Sequence, residues 1–250
     1  MTTLRHGPRR AAIVALVASV AIATPTAAAA QTGSEIDEGR ELYEAACRSC
    51  HGPEGRGGDV GPPIADAGEA GADFQLRTGR MPLPNPQAQA ERKPPAFEDD
   101  EIDALVAYVG SLGGGPPIPS VDPASGDVSL GNELFVDNCA PCHGSGGYGG
   151  AAGPGALAPS LMVAEPVEVA EAMVSGPGQM PVFDFDDHER DSVLAFVERL
   201  QERESPGGED IGGIGPVAEG YVTWVVGMVL VLGVVLFVGR REGQQRRGRP

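Results

Sequence analysis

Two copies of the pattern C-x-x-C-H, with no cysteine outside them, constrain this 250-residue chain more than any other feature. The first is Cys47-Arg-Ser-Cys50-His51 and the second is Cys139-Ala-Pro-Cys142-His143. Each sits in a longer repeat. Gly39-Arg-Glu-Leu-Tyr-Glu-Ala-Ala-Cys47-Arg-Ser-Cys50-His51-Gly52 aligns, at an offset of 92, with Gly131-Asn-Glu-Leu-Phe-Val-Asp-Asn-Cys139-Ala-Pro-Cys142-His143-Gly144. A glycine, Glu, Leu, an aromatic, both Cys, the His and the closing Gly all recur. Self-similarity at a fixed offset marks a duplicated structural unit.

The similarity continues downstream. A Gly/Pro-rich loop follows each motif, GPEGRGGDVGPPI in the first copy and GSGGYGGAAGPGALAPSL in the second, and each copy then reaches a Met-Pro pair, Met81-Pro82 and Met180-Pro181. Each closes on an amphipathic helix. Ile102, Leu105, Val106 and Val109 recur at helical spacing beside Tyr108, and Val193, Leu194 and Val197 do so beside Phe196. Acidic residues open both helices (Asp99, Asp100, Glu101; Asp186, Asp187, Glu189), where they suit the positive end of the helix dipole. No strand-forming alternation of useful length occurs.

C-x-x-C-H reads as a site of c-type haem attachment. Two thiols three residues apart on one helical turn reach the two vinyl groups of one porphyrin, and the adjacent His lies under the iron. Cys47, Cys50 and His51 form the first site, and Cys139, Cys142 and His143 the second. A zinc ribbon also uses paired C-x-x-C, but its ligands converge on one metal. A structural disulfide suits an exported chain yet gives no reason for His after Cys twice. A redox C-x-x-C calls for a neighbouring βαβ pattern, which is missing.

The sixth iron ligand is expected downstream, from Met81 (30 residues after His51) and Met180 (37 after His143). Thioether ligation fills the open coordination position and favours electron transfer over chemistry on a bound substrate. Met162 and Met173 read as packing, and His188, in DDHER at a helix start, as surface. A ligating His donates its other ring N–H to a backbone carbonyl; Pro62 in GPPI and Pro159 in APSL stand where that carbonyl is needed.

The ends of the chain are different in kind. Arg5, Arg9 and Arg10, an uncharged run Ala11–Ala23 and a small-residue stretch ending at Ala30 resemble a secretory signal peptide over 1–30, with an uncleaved anchor as the alternative. Tyr221 to Gly239 is 19 residues without a charge, long enough to span a bilayer at ~1.5 Å rise per residue. Arg240, Arg241, Arg246, Arg247 and Arg249 follow, which places the C-terminus in the cytoplasm and the haem domains outside, at the cell membrane. The expected fold is all-α: two tandem class I cytochrome c domains, 34–112 and 126–204, joined by a Gly/Pro linker, 113–125. A stalk, 205–220, a transmembrane helix, 221–239, and a basic tail, 240–250, complete the chain.

Charge and composition fit this layout. Residues 31–239 hold 34 acidic against 10 basic side chains, a balance of −24, which argues against nucleic acid because phosphate binding needs clustered Lys and Arg. Glycine and proline make up 24% of the chain and aromatics 5%. Each haem domain is about 79 residues, a size at which a core alone is marginal. Two porphyrins supply the missing bulk.

Six segments resemble a known family: ADFQLRTGRMP (72–82), QAQAERKPP (87–95), EIDALVAYVGSLGGGP (101–116), LFVDNCAPCH (134–143), GPGQMP (176–181) and GGIGPVAEGYVTWVVGM (212–228). The chain resembles the dihaem cytochrome c subunit of the actinobacterial menaquinol–cytochrome c reductase, the cytochrome bc complex. The resemblance implies a cytochrome b subunit that oxidises menaquinol and a Rieske iron–sulfur subunit that hands electrons to this chain. It also implies delivery through two covalently bound haem c groups to an aa-type cytochrome oxidase, with the stretch around the first haem facing the Rieske subunit. The chain is then an electron relay within an oxidoreductase, with no catalytic residue of its own. The residues carried over are Cys47, Cys50, His51 and Met81, and Cys139, Cys142, His143 and Met180. The arginine-rich tail departs from the family's usual form. The rival readings are a free-standing membrane-anchored dihaem carrier and a dihaem peroxidase; the latter needs an iron with an open sixth site.

Overall fold

The computed structural model describes residues 25–203 and 216–247, with side chains described for 33–203 and 220–240. The expected signal segment up to residue 24, most of the stalk and the last three residues lie outside the described residues. In the first haem unit, α1 (Pro25–Ala46) leads through Cys47 into the single turn α2 (Arg48–His51). The Gly/Pro loop and α3 (Gly68–Arg77) follow, and α4 (Asp99–Leu112) closes the unit. The second unit repeats this order with α5 (Val128–Asn138), α6 (Ala140–His143), α7 (Pro166–Ser175) and α8 (Asp187–Gln201).

The repeat's matched glycines explain why both units assemble in the same way. The first and last helices of each cross where the side chain is missing. A Cβ on Gly39 would lie 1.9 Å from the Ala104 carbonyl oxygen, and a Cβ on Gly131 would lie 1.9 Å from that of Ser192. The matched aromatics pack one turn on. Tyr43 and Tyr108 have ring centroids 5.2 Å apart at 52°, and Phe135 and Phe196 are 5.2 Å apart at 55°. Tilted pairs of this kind add stabilisation beyond the area they bury. Tyr43 and Phe135 are fully buried.

The apolar positions read from helical spacing form the two cores. Ile102, Leu105, Val106, Tyr108 and Val109 on α4 cluster with Tyr43 and Leu76. Val193, Leu194 and Val197 on α8 cluster with Phe135, Val169 and Met173. Glu98–Glu101 and Asp186–Glu189 form reciprocal capping boxes that satisfy backbone N–H groups at the starts of α4 and α8. Met173 is buried in the second core, Met162 is half-buried against it, and His188 is exposed.

Two findings differ from the reading of sequence. The second haem loop contains a short antiparallel hairpin, β1 (Gly150–Gly153) with β2 (Ala156–Ala158), pairing Ala151 with Leu157. Its glycines and alanines give no β-branched alternation to detect. The Gly/Pro linker, moreover, is pinned at both ends. Ala70 N–H donates to the Pro116 carbonyl at 3.1 Å, and Asp122 N–H donates to Asp191 on α8 at 2.9 Å.

The last helix, α9 (Pro216–Arg247), is longer than its uncharged segment; on the C-terminal side Arg, Glu and Gln, all good helix formers, continue it. Within it Gly220–Arg240 is 21 residues with mean hydropathy 2.6, long and apolar enough to cross a membrane. Most of its apolar side chains, among them Trp224, Leu230, Leu236 and Phe237, are more than half exposed. So much exposed apolar surface suits lipid.

Candidate functional site

Each C-x-x-C-H begins where the first helix of its unit ends. Cys47 N–H still donates to Tyr43 at 2.9 Å while Cys47 itself caps α2; Cys139 does the same with Phe135 at 2.8 Å and caps α6. The break re-aims one turn of helix, so that the two Cys and the His project together. Burial, then the neighbouring Cys50, pushes the Cys47 thiol up to about 11, and burial, then Cys142, pushes Cys139 up to about 11. Zinc and redox cysteines need stabilised thiolates. Burial here opposes the thiolate at Cys47 and at Cys139. All four cysteines are free, and among the described residues no three His, Cys, Asp or Glu side chains gather as a metal-holding group.

The imidazoles are oriented alike. His51 Nδ1 lies 2.9 Å from the Pro62 carbonyl and His143 Nδ1 lies 2.9 Å from the Pro159 carbonyl. A carbonyl only accepts, so Nδ1 carries the proton and Nε2 keeps its lone pair for a metal. Both carbonyls are the ones expected from the sequence. Burial lowers the pKa of His143, against the raising effect of its Pro159 bond, and holds the ring neutral, as a ligand must be.

Around the first motif the chain forms an open cleft lined by Cys47, Cys50, His51 and Met81, with Val60, Leu76, Leu83 and Phe97 among its apolar walls. The structure therefore brings Met81 into the same cleft as the first Cys and His residues. Met180 packs against the core cluster that includes Cys139, beside Leu161, Met162 and Phe183. Paired thiols, an imidazole with a fixed tautomer and an apolar slot are the donor set that a covalently held porphyrin needs, and the residues present fit it. When bound, such a group exchanges one electron at its iron; the protein excludes water, fixes the imidazole and sets the surrounding polarity.

A second group of residues was not singled out individually from the sequence, although the segments RTGRMP and QAQAERKPP contain several of them. They line a seam where α3 packs on α7. The Gln89 side-chain amide donates to the Leu157 carbonyl and accepts from Leu157 N–H at 2.9 Å. Arg92 pairs with Glu168 on α7. Arg80 is buried, with its guanidinium 4.5 Å above the Phe74 ring. Glu171 is fully buried near Asp73, and neither of its carboxyl oxygens makes a hydrogen bond at ordinary distance. Burial first, and then Asp73, pushes Glu171 up to about 9, so it stays protonated at neutral pH. Seam residues lie 68 and 76 positions apart, with no periodicity to mark them.

Comparison with known proteins agrees with this anatomy. Residues 36–113 match the family Cytochrome c, and residues 126–197 match the family Cytochrome C oxidase, cbb3-type, subunit III. The chain is 39% identical over 240 residues to the cytochrome bc1 complex cytochrome c subunit of Mycobacterium tuberculosis, covering 90% of this chain and 86% of that protein. It is 37% identical over 230 residues to the subunit of the same name from Corynebacterium diphtheriae, covering 83% and 81%. A cbb3-type cytochrome c oxidase subunit of Bradyrhizobium diazoefficiens is 31% identical over 122 residues, 45% of this chain and 40% of that protein. Two cytochrome c domains with their C-x-x-C-H motifs carry two covalently bound haem c groups.

Proposed function

The chain belongs to the family of cytochrome bc1 complex cytochrome c subunits, and from that premise we propose that it relays electrons through its two haems within a membrane-bound quinol–cytochrome c reductase. Electrons enter from a Rieske iron–sulfur subunit that works beside a cytochrome b subunit, and leave to an aa-type terminal oxidase. The haem domains face the extracytoplasmic side and the C-terminal Arg cluster faces the cytoplasm, as the positive-inside rule requires of Arg240 and Arg241. Met81 and Met180 complete the two iron coordination spheres. The observation that carries this reading is the cleft that gathers Cys47, Cys50, His51 and Met81. A methionine sulfur bound to the haem iron would favour electron transfer over chemistry on a bound substrate, which suits a relay.

Two measurements test the proposal. Met81→Ala and Met180→Ala should each abolish the weak sulfur-to-iron absorption band of one haem and leave the other; a band pair that survives either change removes that methionine from the ligand set. In mild detergent the chain should co-purify with cytochrome b and a Rieske protein, and migration alone would favour a free-standing carrier.

A further inference from the structure

The two haem loops differ in length by five residues: Pro62 follows His51 by 11 positions, and Pro159 follows His143 by 16. The imidazole–carbonyl bond is 2.9 Å in both, so the extra residues are not needed to orient the imidazole. They form the β1–β2 hairpin, and the first haem unit grips that hairpin. Gln89 meets the Leu157 backbone at two points, as one more strand residue would, while the Leu157 side chain is 64% exposed and contributes little packing.

A second polar contact lies on α7. Arg92 pairs with Glu168, whose side chain is only 11% exposed and also accepts from Glu165 N–H at 3.0 Å in the helix cap. The two helices also meet directly: a Cβ on Gly71 of α3 would lie in van der Waals contact, 3.7 Å from the Ser175 Cβ of α7. Interfaces between domains of one chain allow relative motion by default unless they are large and apolar. This seam is rich in charge, so directional bonds must fix its geometry.

We propose that Gln89 and Arg92 are positioning residues that clamp the second haem unit to the first, with the hairpin inserted in the second haem loop as the handle they hold. The clamp fixes the separation and mutual orientation of the two haems. It rests on the relay reading above, because only transfer between the two haems gives that separation a function.

The test uses the full-length chain in detergent with both haems attached. Pulsed electron paramagnetic resonance on the oxidised haems gives the distribution of iron–iron distances. The native chain and Arg92→Lys, which keeps the charge, should give one narrow distribution. Gln89→Ala combined with Arg92→Ala should broaden it while both haem absorption spectra stay native, and electron transfer between the haems should slow. An unchanged distribution in the double variant overturns the clamp. If the double variant fails to keep its haems, Gln89→Ala alone, which removes only the two bonds to the exposed hairpin, gives the same decision. A native chain lacking a second methionine-ligated haem would instead sink the relay reading, so the two failures are distinct.

Discussion

The two haem units place the same imidazole–carbonyl bond at the same length, one with a short loop and the other with a hairpin in it. Their helix crossings match as closely, through Gly39 and Gly131. They differ in what surrounds these shared parts. His51 is half-exposed beside an open cleft, whereas His143 is buried. Tyr43 donates a hydrogen bond to the Gly52 carbonyl at 2.7 Å, whereas Phe135 at the matching place has no hydroxyl. The comparison separates what haem attachment demands from what each unit adds. Attachment demands the crossing, the cap at the first Cys and the carbonyl behind the His.

The comparison can be broken most severely at the thioethers. Cys47→Ser with Cys50→Ser should leave one covalent haem on a haem-stained denaturing gel and unfold the first unit while the second keeps its spectrum. Two haems on that gel would show that the first motif is not an attachment site.

Next in size are the helix crossings. Gly39→Val and Gly131→Val each push a side chain into a carbonyl 1.9 Å away, and each should cost its own unit about 3 kcal/mol or more. Thermal unfolding followed at the Soret band should show the two losses to be equal. A large inequality would mean that the two crossings are not equivalent.

The seam gives a smaller, pH-dependent effect. The buried Glu171 carboxyl holds its proton up to about 9, against about 4.5 for an ordinary Glu. The folded state therefore binds a proton that the unfolded state has released, and stability falls as pH rises through that window. Glu171→Gln removes this dependence. It should be nearly neutral at pH 4.5 and should stabilise the fold increasingly as pH rises above that toward 9. Denaturant titrations at several pH values check the slope, and a flat difference would mean that Glu171 is ionised in the fold.

The smallest effect sharpens the comparison at one atom. Tyr43→Phe gives the first unit the aromatic the second already has, and should cost about 1 kcal/mol for the lost bond to Gly52. A much larger loss would show that the hydroxyl holds the loop behind His51.

How much of this was legible in the sequence follows from the range of each interaction. The duplicated unit, the Cys and His of both haem sites, the Pro62 and Pro159 carbonyls, the helix caps and the apolar spanning segment all rest on residues close in sequence. Spacing along one turn or one loop is enough to read them. The positions of Gly39 and Gly131 stood in the alignment as matches; that they mark helix crossings became clear only from the Ala104 and Ser192 carbonyls beside them. The β1–β2 hairpin was illegible because Gly and Ala carry no face to alternate.

By itself, then, the sequence determined that the chain is built of two C-x-x-C-H units and an apolar helix, because a covalent attachment site and a membrane span are local patterns of residue type and length. Tertiary structure alone decided how the two units meet. Gln89 with Leu157, Arg92 with Glu168 and Glu171 beside Asp73 are pairs 68, 76 and 98 positions apart. Such contacts exist only once two separately folded surfaces are brought together, and no local periodicity encodes which residues will face each other there.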